Sequence, residues 1–300
     1  MRLAITGGTG FVGSHLIEAA RIERHEVRAL TRRPQVPGDG ISWVEGALDR
    51  PDSLASLCEG CDAVIHVAGV INGGAHAFHQ GNVVGTENMI AAAAQAGITR
   101  FIHISSLAAR EPHLSAYGRS KAESEEPVIA AGHDWTIIRP PAIYGPRDRE
   151  MFELFRMAKR GIVPLPPGGH LSIIHVRDLC RLILACLHDE VCHGRLYEPD
   201  DGKEGGWGTV QLARAIGHAM GRTVLPLPVP KPLLLAGVAL DRLVRGSKAK
   251  LTRDRVDYFC HPDWTTAPHA HPPASLWKAQ IPTEEGLAAT ARWYKAQGWL

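Results

Sequence analysis

The sequence predicts an α/β fold: a doubly wound parallel sheet joined to a smaller C-terminal lobe. Three observations carry this prediction. Short runs dense in Val and Ile alternate with helix-length segments through the first half of the chain. The runs show little polar alternation, as strands do when helices cover both faces of a sheet. A glycine-rich turn joins the first run to the first helix. Strand, helix, strand at this rhythm means right-handed crossovers and parallel pairing.

The strands read "RLAIT", "EVRAL", "AVIHVA", "RFIHIS" and "WTIIRP", with helical segments expected over 11–22, 51–58, 82–97 and 117–131. After "RPPAIYGP" the rhythm changes. Proline and glycine become dense in "GIVPLPPGGHLSIIHV", and helices over 209–221 and 284–297 stand without regular strand partners. The chain is therefore read as a sheet domain, residues 1–145 and about 173–199, and a smaller substrate or lid lobe, about 146–172 and 200–300. "HVRDLCRLILACLHD" returns one strand end and one helix to the sheet domain, with Asp178 as an acid at the positive end of that helix.

Composition narrows the function. The chain has 300 residues, 45% hydrophobic and 21% charged, which is ordinary globular usage. With 33 basic and 31 acidic residues the net charge is +2, which gives no support to a nucleic-acid partner. The run "PLLLAGVAL" falls short of the roughly 20 apolar residues a membrane span requires; it reads as a buried or lid helix, with association at a membrane surface as the alternative. Six cysteines are scattered. "CEGC" (Cys58, Cys61) has no second pair at metal-ligand distance, so it reads as structural and no metal is expected. His269 and His271 read as exposed loop residues, and His103 as a satisfied core histidine. Reduced thiols and a strand beginning at the first residues suggest a cytoplasmic protein without a leader.

The turn "AITGGTGFVGSHL" holds Gly8-Thr9-Gly10-Phe11-Val12-Gly13, and also Gly7, Gly10 and Gly13 at three-residue spacing. This is the Rossmann-type dinucleotide fingerprint. Glycine allows the tight turn and lets backbone approach a pyrophosphate, while the helix N–H groups hold the phosphates. The second strand is followed by Arg32 and Arg33, where a site selective for NAD carries an acid. Arginine forks a 2′-phosphate through charge-assisted bonds, so NADP(H) is favoured over NAD(H).

With "DAVIHVAG", "NVVGTEN", "YGRSK" and "RPPAIYGP" following in order, the chain resembles the extended short-chain dehydrogenase/reductase superfamily and its epimerase/dehydratase-like members. The resemblance covers roughly the first 180 residues well and the remainder loosely. It implies catalytic Ser106, Tyr117 and Lys121, with Ser105 the lesser choice for the serine. It also implies that Ala68 and Gly69 shape the adenine side, that Asn82 lies in a helix behind the site, and that Pro140 to Ile143 line the nicotinamide. Tyr117 and Lys121 lie one helical turn apart, on one face. A tyrosine pKa near 10 falls beside an ammonium, and such a group exchanges a proton with an alcohol.

The activity this implies is an NADP(H)-dependent interconversion of a secondary alcohol and a ketone, in the cleft beside the smaller lobe. That lobe's Leu, Val and Pro content suggests an apolar small-molecule substrate. Two departures keep other readings open. Ala47 stands where the superfamily commonly has an acid near adenine, and only ten residues separate Ser106 from Tyr117. A non-catalytic, NADPH-binding structural protein of the type seen in a respiratory complex I accessory subunit is one alternative. A sugar-nucleotide epimerase or dehydratase is the other.

Overall fold

The computed structural model describes residues 1–132, 134–246 and 252–300; residues 247–251, within the expected smaller lobe, lie outside the described residues. The chain opens β1 (Arg2–Thr6), α1 (Phe11–Ile22), β2 (Glu26–Thr31), β3 (Ile41–Glu45), α2 (Pro51–Cys58) and β4 (Ala63–His66). It continues α3 (Ala75–Phe78), α4 (Gly85–Gln95), β5 (Arg100–Ile104), α5 (Ala116–Ala130), β6 (Asp134–Ile138), β7 (Ala142–Tyr144) and α6 (Phe152–Lys159). Then come β8 (Ile162–Leu165), β9 (His170–Leu171), β10 (Ile173–His175), α7 (Val176–Ala185), β11 (Arg195–Tyr197), β12 (Trp207–Gly208) and α8 (Thr209–Ala219). The last elements are β13 (Leu225–Pro228), α9 (Lys231–Arg245), α10 (Arg253–Phe259), β14 (Asp263–Trp264) and α11 (Thr283–Ala296).

Two compact units result, one of Met1–Pro140, Val176–Pro199 and Pro268–Lys278, the other of Pro141–His175, Asp200–Ala267 and Ala279–Leu300. The first holds a seven-stranded sheet in the order β11-β6-β5-β4-β1-β2-β3, every pair parallel. Strand order reverses between β1 and β4, and ligands of such sheets bind outside the carboxyl ends at that reversal. β4 and β5 are buried at every residue, which explains their unbroken apolar character. Leu54, Leu57, Val64, Met89, Phe101 and Ile137 form one side of the core, and each fully buried side chain of this size stabilises by about 1.5–3 kcal/mol.

β3 is a strand the sequence reading lacked. It is an edge strand with a half-exposed face and a terminal Glu45, so it carries no apolar run. The helix expected over 82–97 is instead a π-helical segment, His79–Val84, leading into α4. Asp178 stands in the first turn of α7, paired with Arg181, and its carbonyl accepts from Trp277 Nε1 at 3.0 Å.

The second unit packs α6, α8 and α11 around Tyr144, Phe155, Trp207, Ile216, Leu287 and Tyr294. Short ribbons complete it: β7 with β10, β8 with β13, and β9 between β12 and β14. Trp299 stacks on Tyr294 and meets Trp293 edge-on, which packs the aromatic residues of the tail together. α9 was read as a buried or lid helix; none of its described side chains is buried, which removes the first of these readings.

Candidate active site

Five strand ends at the carboxyl edge of the large sheet, those of β1, β2, β4, β5 and β6, supply the site together with α5. At the end of β1, Gly7 takes φ +74°, and a Cβ there would lie 2.7 Å from the Ala68 nitrogen beyond β4. A Cβ at Gly13 would lie 2.1 Å from the Gly7 oxygen, so the first turn of α1 closes against the loop only because both lack side chains. Gly10 caps α1 without a side-chain hydrogen bond, and Phe11 and Val12, both half-buried, begin its first turn. This is a backbone cradle at a positive helix end, and it fits the pyrophosphate of a dinucleotide.

Beyond β2, the Thr31 hydroxyl donates to the Arg33 oxygen at 2.6 Å and accepts from the Arg33 nitrogen at 3.2 Å. The resulting turn leaves Arg32 and Arg33 exposed. Beyond β4, Asn82 accepts from the Val70 nitrogen at 2.6 Å and donates to the Val70 oxygen and to Ser120 Oγ. A Cβ at Gly69 would stand 3.1 Å from Asn82 Oδ1 and 3.9 Å from Lys121 Nζ, so these sequence-predicted residues meet.

Ser106 ends the β5 segment. Its Oγ accepts from the Ala108 nitrogen at 3.2 Å, capping a 3-10 turn over Leu107–Arg110 and leaving the hydroxyl proton to donate. The Leu107 nitrogen donates to the Pro140 oxygen at 2.9 Å, which ties that turn to the end of the β6 segment. Ser105 differs: it is buried, and its hydroxyl donates to Glu125. Ile143 belongs to the second unit, where it pairs with Ile174.

α5 carries Tyr117 and Lys121. Tyr117 is half-buried with its ring edge-on to Phe78. Lys121 is 4% exposed and donates one of its three N–H groups to the Ile104 oxygen at 2.9 Å. Burial lowers its pKa from 10.5 to about 8, while the Glu125 carboxylate pulls in the opposite direction. Behind it sit two buried imidazoles. His66 is held between the Thr6 and Thr86 hydroxyls, and burial and then Lys121 push its pKa down to about 3. His103 bonds Ser124 through Nε2 at 3.1 Å, but its Nδ1 has no partner, so it is only half satisfied. Both rings are neutral, so neither adds positive charge beside Lys121.

Sequence reasoning missed the charges that support Lys121. Glu125 follows it by one turn and accepts both arms of Arg139, at 2.9 and 2.6 Å. Arg139 also approaches the buried Glu198 at 3.6 Å, and Arg110 lies 3.7 Å from the same carboxylate. The signal was present: 117, 121 and 125 fall at successive helical turns. The "CEGC" thiols are no part of the site. Burial raises Cys58 to about 12 and Cys61 to about 11, which removes thiolate reactivity.

The family description "NAD dependent epimerase/dehydratase family" matches residues 3–198. The chain belongs to this family. A protein named ceramide reductase from Caulobacter vibrioides is 35% identical over 308 aligned residues, covering 99% of this chain and 96% of that one. A 2-alkyl-3-oxoalkanoate reductase from Stenotrophomonas maltophilia is 27% identical, covering 96% and 97%. Among solved structures, MoeE5 in complex with UDP-glucose and NAD superimposes with a TM-score of 0.76 at 21% identity over 99% of both chains, a likeness of fold. Family and relatives together make this chain an NAD(P)-dependent oxidoreductase of the extended short-chain type. Among the described residues no helix is long and apolar enough to cross a membrane.

Proposed function

We propose that this chain is an NADPH-dependent ketone reductase for a long-chain, lipid-like substrate, with Ser106, Tyr117 and Lys121 as its catalytic residues. The observation that carries the chemistry is the buried Lys121 ammonium one helical turn from Tyr117. The full-length likeness to a ceramide reductase supports the substrate class. The exposed Arg32 and Arg33 after β2, with no acid at that strand end, support NADPH.

The bound reduced nicotinamide supplies the hydride. The chain's own residues handle the oxygen. Ser106 Oγ donates to the substrate carbonyl and fixes its position. Tyr117 donates to the same oxygen and gives up its phenolic proton as negative charge develops there. The Lys121 cation stabilises the phenolate left behind, and its remaining N–H groups are free to hold the ribose of the cofactor. Carbonyl carbon gains hydride, oxygen gains the tyrosine proton, and a secondary alcohol leaves.

The test is a screen of long-chain 3-keto amides, 3-keto acids and UDP-sugars with NADPH and NADH. Turnover of the long-chain ketones with NADPH is expected. Turnover confined to UDP-sugars contradicts the substrate class. Replacing Arg32 and Arg33 with Ala is expected to narrow the preference for NADPH over NADH by about tenfold or more, which a titration of both cofactors reads.

A further inference from the structure

Among the described residues, the second unit carries exposed apolar side chains on a ribbon and on the helix that follows it. β8 and β13 pair in parallel, with Ile162 opposite Leu225 and Pro164 opposite Leu227. Alternation along β8 buries Val163 and Leu165, so Ile162 and Pro164 face outward beside Leu225, which is 61% exposed. The chain then passes through Val229 and Pro230 directly into α9. On α9, Leu233, Ala236 and Leu243 fall at spacings of three and seven residues, which is one stripe of a helix. All three are exposed, Leu243 at 82%. An amphipathic helix normally turns its leucine stripe inward; this one turns leucines out.

Cations adjoin the apolar residues. Arg253, at the start of α10, is exposed, and Lys231, at the start of α9, pairs with Asp257 at 2.7 Å. Lys159 and Arg160 precede β8, and Arg222 precedes β13; all three are exposed. An apolar strip bordered by cations matches a surface with an apolar interior and anionic headgroups. We infer that the β8–β13 ribbon and α9 dock this protein on an anionic lipid bilayer, lying on it rather than spanning it. The inference rests on the surface itself. It also deepens the proposed function, because a long-chain ketone resides in the membrane and a docked enzyme collects it there.

The test uses the full-length protein, without cofactor or substrate, in flotation with vesicles of phosphatidylcholine containing phosphatidylglycerol, and with vesicles of phosphatidylcholine alone. Binding to the anionic vesicles is expected. Leu225→Asp with Leu243→Asp is expected to weaken it at least about tenfold. Salt at about 1 M, where the Debye length is about 3 Å, is expected to weaken it also. Reduction of a short, water-soluble ketone by the same variant is expected to remain unchanged, which shows that the variant folds. Failure to float with anionic vesicles overturns the inference, as does binding that the double variant retains. A dimer that the double variant dissociates, without vesicle binding, assigns the surface to a second copy of the chain and also overturns it. Loss of long-chain ketone turnover alone, with vesicle binding intact, counts against the proposed function and not against docking.

Discussion

Lys121 is a cation held where cations are expensive. Burial brings its pKa to about 8, so the ammonium persists at neutral pH and is lost as pH rises further. In the proposed mechanism Tyr117 relies on that charge, so ketone reduction is expected to fall above about pH 8, as a pH–rate profile will read. Glu125→Gln removes the carboxylate that favours the cation, so the falling limb is expected to move to lower pH. A purely structural Glu125 would lower the protein's melting temperature and leave that limb in place. Tyr117→Phe and Lys121→Met are each expected to reduce kcat by about 10²–10⁴-fold. At this scale the sequence was informative where a family motif gives a spacing its meaning, as the resemblance did for 117 and 121. It was silent on Arg139 and Glu198, because charged residues on different strands meet only after the sheet forms.

The short connection between Ser106 and Tyr117 is explained by two elements in contact. The 3-10 turn over Leu107–Arg110 lies so close to α5 that a Cβ at Gly118 would sit 2.7 Å from the Ala108 oxygen. Ser115 caps α5, accepting from the Gly118 nitrogen at 2.9 Å. Ser115→Ala is expected to cost about 1 kcal/mol, readable by denaturant unfolding, and to lower kcat more than KM because the helix start sets where Tyr117 stands. Strands β1, β2, β4, β5 and β6 were legible because burial on both faces writes an apolar run. β3 was not, since an edge strand is half wet. The π-helical turn at His79–Val84 was not legible either: it holds Asn82, whose bonds to Val70 and Ser120 are tertiary contacts that no local pattern announces.

Across the molecule, buried ionisable groups in each unit oppose folding at neutral pH, Asp148 and Lys121 among them. Asp148 in the second unit is 3% exposed, and burial raises its pKa from 3.8 to about 6. Its folded form binds a proton more readily than its unfolded form, so its cost is full above about pH 6 and is relieved as pH falls towards 3.8. Lys121 in the first unit behaves in the mirror sense: its cost is full below about pH 8 and is relieved as pH rises towards 10.5. Both costs are therefore present together between about pH 6 and 8. Asp148→Asn is expected to remove the part of the melting-temperature slope below pH 6, and Lys121→Met the part above pH 8. The exposed leucines of α9 belong to this scale too. Leucine content alone suggested burial, and only the fold shows which face of the helix is left without cover.

The central claim is hydride transfer to a lipid-like ketone with Tyr117 as proton donor, and isotope transfer tests it most directly. NADPH carrying deuterium at both positions of the nicotinamide C4 is incubated with a long-chain 3-keto amide and the wild-type protein or Tyr117→Phe, and the product is read by mass spectrometry. The account predicts one deuterium on the carbinol carbon with the wild type and a rate lower by about 10²–10⁴-fold with the variant. Deuterium transfer by Tyr117→Phe at the wild-type rate, or a wild-type protein that binds NADPH and transfers none, would contradict it.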